Sequence, residues 1–115
     1  MKKYNERIIR IASELMVFSY KLNSNKFDIT VESLEDKTVI DFKVYNATIT
    51  EKKLKEIEDL LSSPRLHEIE EYYWNLSGND IINTELDLVG MMVDESIVNY
   101  DKENHILYIK LIRLF

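Results

Sequence analysis

Cysteine is absent from this sequence of 115 residues, which has one proline and two glycines. A chain without cysteine has no disulfide scaffold, no thiolate metal site and no thiol redox chemistry. Two glycines are too few for a glycine-rich loop of the kind that brings backbone amides against a phosphate. No apolar run reaches the length of about eighteen residues that a membrane span requires. We therefore expect one domain over residues 1–115, with a core of its own and no cofactor.

Acidic residues outnumber basic ones, and the two are unevenly distributed. Residues 1–26 carry six Lys or Arg against two Glu, whereas residues 27–115 carry nine Lys or Arg against nineteen Asp or Glu. Because nucleic-acid binding depends on clustered Lys and Arg, the acidic bulk of the chain argues against a nucleic-acid ligand. Arg7, Arg10 and Glu14 interrupt the apolar residues at the start of the chain, which is not the pattern of a signal peptide. The sequence thus predicts a cytoplasmic protein that binds neither nucleic acid nor membrane.

Apolar residues recur at helical spacing in some segments and alternate in others, which predicts the element order α-β-β-α-α-α-β-β. Asn5 is expected to cap the first helix, Thr50 to cap the second, and Pro64 to open the third. The predicted elements are helix 5–22, strands 27–32 and 39–45, helices 51–61, 64–76 and 84–93, and strands 97–100 and 106–114. Each strand pair alternates as antiparallel strands with one buried face do. We expect an α+β two-layer sandwich, with helices covering one face of a four-stranded, mainly antiparallel sheet.

Three stretches of the chain carry a family resemblance. They are SELMVFSYKL at 13–22, VYNATI at 44–49 and LDLVGMMVDESI at 86–97. Together with the element order, these stretches resemble the histidine kinase-like ATPase domain, also called the GHKL or Bergerat fold. The resemblance is greatest to the ATPase domains of anti-sigma-factor serine kinases. It implies the same α+β architecture over nearly the whole chain.

The residues that perform the ATPase chemistry of that family are replaced here. Glu14 stands at the position of the family's catalytic Glu, but Phe18 stands where an Asn ligates magnesium, and a phenyl ring offers that ion no oxygen. Asn46 is the nearest match to the Asp that reads the adenine amino group. Asn83 and Glu85 occupy the positions of the phosphate-loop glycines, and a carboxylate there repels a phosphate. The resemblance therefore implies a degenerate, non-catalytic member that has lost its nucleotide site and cofactor.

Two functions are compatible with this pattern. In the first, the protein is a regulatory or protein-interaction module with no enzymatic activity. In the alternative, it is an anti-sigma-like regulator that keeps residual nucleotide binding at a pocket of Glu14, Asn46, Asn83 and Glu85. The neighbours of Glu14 on the first helix include Arg10, which favours a surface ion pair over a general base at this position.

A partner surface is predicted in the third helix. Trp74 points away from the apolar face of that helix and lies beside His67, Glu70 and Glu71. A tryptophan ringed by carboxylates suits a basic or amphipathic protein partner, because tryptophan is over-represented in binding hot spots. A loop of residues 77–83 folded over Trp74 is the other interpretation. His67 and the two glutamates have the spacing of metal ligands, but no second His or Cys completes a site, so no metal is expected.

The last predicted strand is apolar on both sides. Leu107, Ile109 and Leu111 fall on one side, and the other side carries Tyr108 and Ile112. A strand face that is open to water alternates more cleanly with polar residues. We therefore expect the second face to be covered in a homodimer that packs two such faces together. The alternative form of dimer is an edge-to-edge extension of the sheet by the final strand.

Overall fold

The computed structural model describes residues 3–62 and 85–115, which form three helices and four strands. The elements are α1 (Lys3–Lys21), β1 (Lys26–Ser33), β2 (Lys37–Tyr45), α2 (Glu51–Leu61), α3 (Glu85–Met92), β3 (Glu95–Asp101) and β4 (Ile106–Leu114). The predicted helix 64–76 lies outside the described residues, and with it the predicted partner residues Trp74, His67, Glu70 and Glu71. The other predicted elements are present in the predicted order.

The four strands form one antiparallel sheet in the order β1-β2-β4-β3. At its centre, Phe42 in β2 is opposite Ile109 in β4, and Val44 is opposite Leu107. These side chains are at most 2% exposed and form the inward face of β2 and β4. Residues of the opposite parity point away from the core, because successive side chains of a strand alternate between the two faces.

The helices form a single layer against one face of the sheet. Both α1 and α2 pack on α3, while α1 also contacts β1 and α2 contacts β3. Leu15 of α1, Ile57 of α2 and Val89 of α3 are at most 1% exposed where this layer meets the sheet. The structure thus confirms the expected α+β class, with a four-stranded antiparallel sheet and helices on one side.

Gly90 lies inside α3, and its position explains why α2 and α3 approach each other so closely. A Cβ atom added at Gly90 would lie 2.2 Å from the carbonyl oxygen of Leu60, at the end of α2. Backbone at that distance excludes every side chain. The role of Gly90 is therefore to allow the close packing of α2 and α3.

The two predicted helix caps have different outcomes. Thr50 caps α2 as predicted, since its Oγ1 accepts a hydrogen bond of 3.1 Å from the Lys53 N–H. The predicted cap at Asn5 is wrong, because α1 already includes Lys3 and Asn5 lies within its first turn. Tyr4 continues the buried face of the helix by packing on the core, and its ring lies 4.7 Å from that of Phe115. That contact extends the helix past the expected cap.

Candidate functional site

Glu14, the residue at the position of the family's catalytic base, is held in an ion pair within α1. The Arg10 Nε donates to Glu14 Oε1 at 2.9 Å, one turn earlier on the same helix. This confirms the predicted ion pair. Both side chains retain about a fifth of their exposure. The carboxylate is therefore paired with a permanent cation on its own helix.

Asn46 lies in the turn after β2 and stabilises that turn. Its φ of 55° is left-handed, a conformation that asparagine tolerates better than most residues. Its Nδ2 donates to Asn25 Oδ1 at 2.8 Å, which ties this turn to the connection between α1 and β1. Asn46 is exposed, and its described contacts serve the backbone path of the turn.

Glu85 begins α3, where its carboxylate pairs with Lys21 at the end of α1. A helix carries a partial positive charge at its N-terminus and a partial negative charge at its C-terminus. A carboxylate in the first turn and an ammonium group in the last turn are therefore both stabilising. The pair therefore stabilises both helix ends while it bridges them.

A small cavity of about 150 Å³ lies between α1, α2 and α3. Its lining includes Phe18, Lys21, Lys53 and Glu85, but neither Glu14 nor Asn46. Of the three described residues of the predicted residual pocket, Glu85 lines this cavity and Glu14 and Asn46 do not, while Asn83 lies outside the described residues. The volume is below the range of about 300–1,000 Å³ that ligand pockets usually have. Among the described residues, each cation in the lining has a carboxylate within 4 Å: Lys21 pairs with Glu85, and Lys53 is 3.8 Å from Glu56.

The second candidate is the face of the sheet that points away from the helices, here called the outer face. It is formed by Lys26, Asp28, Thr30, Glu32, Lys37, Val39, Asp41, Lys43, Tyr45, Glu95, Ile97, Asn99, Asp101, Ile106, Tyr108, Lys110, Ile112 and Leu114. Opposite charges meet across the strands, with Asp28 opposite Lys43 and Asp41 opposite Lys110. Such cross-strand pairs stabilise a sheet.

Lysines and aromatic rings alternate across one end of the outer face. The Lys26 Nζ lies 4.5 Å from the centre of the Tyr45 ring, and the Lys43 Nζ lies 5.3 Å from that of Tyr108. These distances are within the range of cation–π attraction. The Tyr45 hydroxyl donates to Asp28 Oδ2 at 2.7 Å, and this hydrogen bond raises the pKa of Tyr45 above its usual value.

Apolar side chains are open to solvent on the half of the outer face that β4 and β3 form. Ile97 is 48% exposed and Tyr108 is 37% exposed, while the predicted contact residue Ile112 is half-buried. Ile97 and Tyr108 line a shallow hollow of about 230 Å³, together with Asp28, Lys43 and Asn99. No described residue of this chain covers the face.

The position of β4 corrects one of the two predicted forms of dimer. The edge-to-edge form requires the final strand to lie at an edge of the sheet, but β4 lies between β2 and β3 and pairs with both. Its backbone hydrogen bonds are therefore used within the sheet. The edges of the sheet are β1 and β3.

Arg113 is buried on the inner face, a placement that was not predicted from the sequence. Arg113 is 3% exposed, and its Nη1 donates to the carbonyl oxygen of Met92 at 2.6 Å, which closes the C-terminal end of α3. A cation at a helix C-terminus satisfies a free carbonyl and opposes the helix dipole. The sequence contains a signal for this burial. Arg113 is two residues after Leu111 on β4, so both side chains lie on the same face of the sheet.

Among the described residues, no helix has the length and apolar character to cross a membrane, and no group of three or more His, Cys, Asp or Glu is placed to hold a metal ion. Comparison of the chain with family models, with curated proteins and with solved structures finds no match.

Proposed function

We propose that this chain is a cytoplasmic, non-catalytic regulatory or protein-interaction module that binds an amphipathic protein partner through the outer face. The observation that carries the proposal is the exposure of Ile97 and Tyr108, on the adjacent strands β3 and β4, among the charged side chains of the outer face. Tyrosine is enriched in the energetically important centres of interfaces, where it combines a large apolar ring with a polar end.

The shape of the outer face favours a protein over a small ligand. The hollow is open, and charged side chains of both signs surround it, including Asp28, Lys43 and Lys110. An apolar centre with a charged rim is the usual anatomy of a protein interface. The charges around the hollow alternate in sign. They favour a partner surface that carries both positive and negative charges over one that carries a strong charge of a single sign.

A comparison of variants tests this proposal. Wild type, the double variant Ile97→Glu with Tyr108→Glu, and the control Lys52→Glu are each immobilised and exposed to lysate of the native cell. Lys52 is exposed on α2, away from the outer face. We expect a partner that wild type and control retain and that the double variant loses, with all three proteins giving the same circular dichroism. If all three proteins retain the partner equally, the outer face is excluded as its binding surface.

Residual nucleotide binding is the second candidate, and the family resemblance together with the cavity beside Phe18 and Glu85 supports it. Calorimetric titration with ATP and magnesium separates it from the first. The interaction module predicts no binding tighter than about 1 mM, which corresponds to about 4 kcal/mol. If ATP binds more tightly than this, and if Glu85→Lys changes its affinity, the result would favour the nucleotide-binding regulator.

A further inference from the structure

The outward edge of β1 has a defined set of free backbone groups. The Leu34 N–H donates to the Lys37 carbonyl oxygen at 2.7 Å, next to the pair formed by Ser33 and Thr38. In an antiparallel pair, hydrogen-bonded and non-hydrogen-bonded residues alternate. Even-numbered residues of β1 therefore bond to β2, and the N–H and C=O groups of Phe27, Ile29 and Val31 point away from the sheet. No described residue pairs with this edge.

Exposed apolar side chains accompany those free groups. Val31 is on the same side of the sheet as the helices, yet it is 44% exposed. Tyr20 of α1 is 63% exposed and packs edge-on against the Phe27 ring, at 5.7 Å between centres. Edges of sheets are usually blunted by proline, by bulges or by inward-pointing charges. In β1 the inward positions before Ser33 carry Phe27, Ile29 and Val31, so these three devices are absent there, and the charged side chains of the strand, Lys26, Asp28 and Glu32, are confined to the outer face.

The opposite edge of the sheet is different. β3 lies beside α2, and the Ser96 hydroxyl donates to the carbonyl oxygen of Leu61 at 3.2 Å. Ile97 is the exposed apolar side chain of β3, whereas the edge at β1 combines its free backbone groups with two exposed apolar side chains, Val31 and Tyr20.

The charges of β1 favour one of the three self-pairing registers whose two-fold axis lies at Asp28, Ile29 or Thr30. If Ile29 faces the partner subunit's Ile29 at a two-fold axis, then Lys26 is opposite the partner's Glu32 and Asp28 is opposite the partner's Thr30. Phe27 then meets the partner's Val31. Moving the axis to Thr30 places Asp28 opposite the partner's Glu32, and moving it to Asp28 places two aspartates together. Like charges directly opposite each other destabilise a strand pair.

We propose that two copies of this chain pair antiparallel through β1, with Ile29 at the two-fold axis, to form one continuous eight-stranded sheet. The pairing satisfies the free groups of Phe27, Ile29 and Val31 and brings Val31 against the partner's Phe27, beside the partner's Tyr20. It does not rest on the function proposed above. The outer faces of both copies lie on the same side of the extended sheet and stay open.

Sedimentation equilibrium of the full chain tests the pairing through Ile29→Pro. Proline removes the N–H of Ile29, which points outward, and leaves the hydrogen bonds to β2 in place. We expect wild type to sediment as a dimer at concentrations of tens of micromolar and Ile29→Pro to sediment as a monomer with an unchanged circular dichroism spectrum. A wild type that is monomeric at high micromolar concentration overturns the proposal and leaves the edge for a strand of another protein.

A charge exchange tests the register even where Ile29→Pro fails to fold. Lys26→Glu and Glu32→Lys each turn two attractive pairs into repulsive ones, and we expect each to weaken dimerisation roughly two- to thirtyfold at low salt. The combined variant restores opposite charges across the axis and is expected to restore the dimer. Lys26 and Glu32 are six residues apart on one strand, too far to contact each other within one chain. Restored dimerisation in the combined variant would therefore report a contact between two chains.

One further variant separates this proposal from the outer-face function. Tyr108→Glu should leave the dimer intact, because Tyr108 is on the outer face and away from β1. A dimer that Tyr108→Glu dissociates and Ile29→Pro leaves unchanged would overturn the edge pairing and assign the interface to the outer face.

Discussion

The two faces of β4 belong to one strand but have different surroundings. Leu107, Ile109 and Leu111 are at most 1% exposed beneath the helices, whereas Tyr108 and Lys110 between them are exposed. Both sets include apolar residues, so composition alone does not distinguish the faces. The difference lies in what covers each face. The inner face is part of the core, and the outer face has no cover among the described residues.

The largest effect is expected on the inner face, from Phe42→Ala. Phe42 is 2% exposed and pairs with Ile109 at the centre of the sheet. Removing a buried aromatic ring leaves a cavity, so we expect the free energy of unfolding to fall by about 3–5 kcal/mol. Urea denaturation followed by circular dichroism measures it. A loss below about 1 kcal/mol would show that the two faces do not differ in burial as described.

The helical cover of the inner face is tested by Gly90→Ala. The added methyl group meets the Leu60 carbonyl oxygen, so α2 and α3 must move apart. We expect a loss of about 1–3 kcal/mol in the free energy of unfolding, although alanine is the better helix former. Ser13→Ala, at an exposed position of α1, is the control and should change stability little. Equal stability of Gly90→Ala and wild type would contradict the close contact of the two helices.

On the outer face, Tyr108→Ala is expected to lower the free energy of unfolding by about 1 kcal/mol, because alanine is a poorer strand former than tyrosine. The ring is exposed and its described contact is the Lys43 ammonium group at 5.3 Å. The same urea denaturation as for Phe42→Ala provides the direct comparison. A loss as large as that of Phe42→Ala would mean that the outer face is part of a core.

The smallest effect concerns pH and the turn between β3 and β4. Asp101 Oδ1 accepts from the N–H groups of Glu103 and Asn104, and its Oδ2 accepts from the Asn104 side chain at 2.8 Å. The side-chain hydrogen bond is the larger cause of a pKa of Asp101 below its usual value. Because the folded pKa is depressed, this contribution to stability is present above the unfolded pKa and is lost as pH falls through the folded pKa.

Comparison with Asp101→Asn measures that contribution. We expect the difference in thermal midpoint between wild type and variant to be constant near neutral pH and to shrink as pH falls through about 4 and below. A difference that stays constant throughout the acid range would contradict the role of the ionised Asp101.

The local pattern of apolar and polar residues was sufficient to predict most of the helices and strands. Ile40, Phe42 and Val44 alternate with polar residues, and period-two alternation fixes which side chains of a strand share a face. Thr50 was predictable as a cap because its hydroxyl and the following helix are adjacent in sequence. The pair of Arg10 and Glu14 was predictable for the same reason, since residues four apart on a helix are neighbours.

Non-local features were not predictable in this way. The place of β4 between β2 and β3 depends on a pairing of Phe42 with Ile109 across sixty-seven residues, and alternation carries no information about strand order. The cap at Asn5 failed because Tyr4 gains a contact with Phe115 at the other end of the chain. The family resemblance, the partner role of the segment around Trp74 and residual nucleotide binding stay predictions.

Lysine labelling of the captured complex tests the central claim most directly. Lys43 and Lys110 lie on the outer face, and Lys52 and Lys55 lie on α2. Acetylation followed by mass spectrometry is performed on the free protein and on the protein bound to its partner. We expect Lys43 and Lys110 to lose reactivity in the complex while Lys52 and Lys55 keep theirs. Protection of Lys52 and Lys55 with unchanged reactivity of Lys43 and Lys110 would contradict the assignment of the outer face as the binding surface.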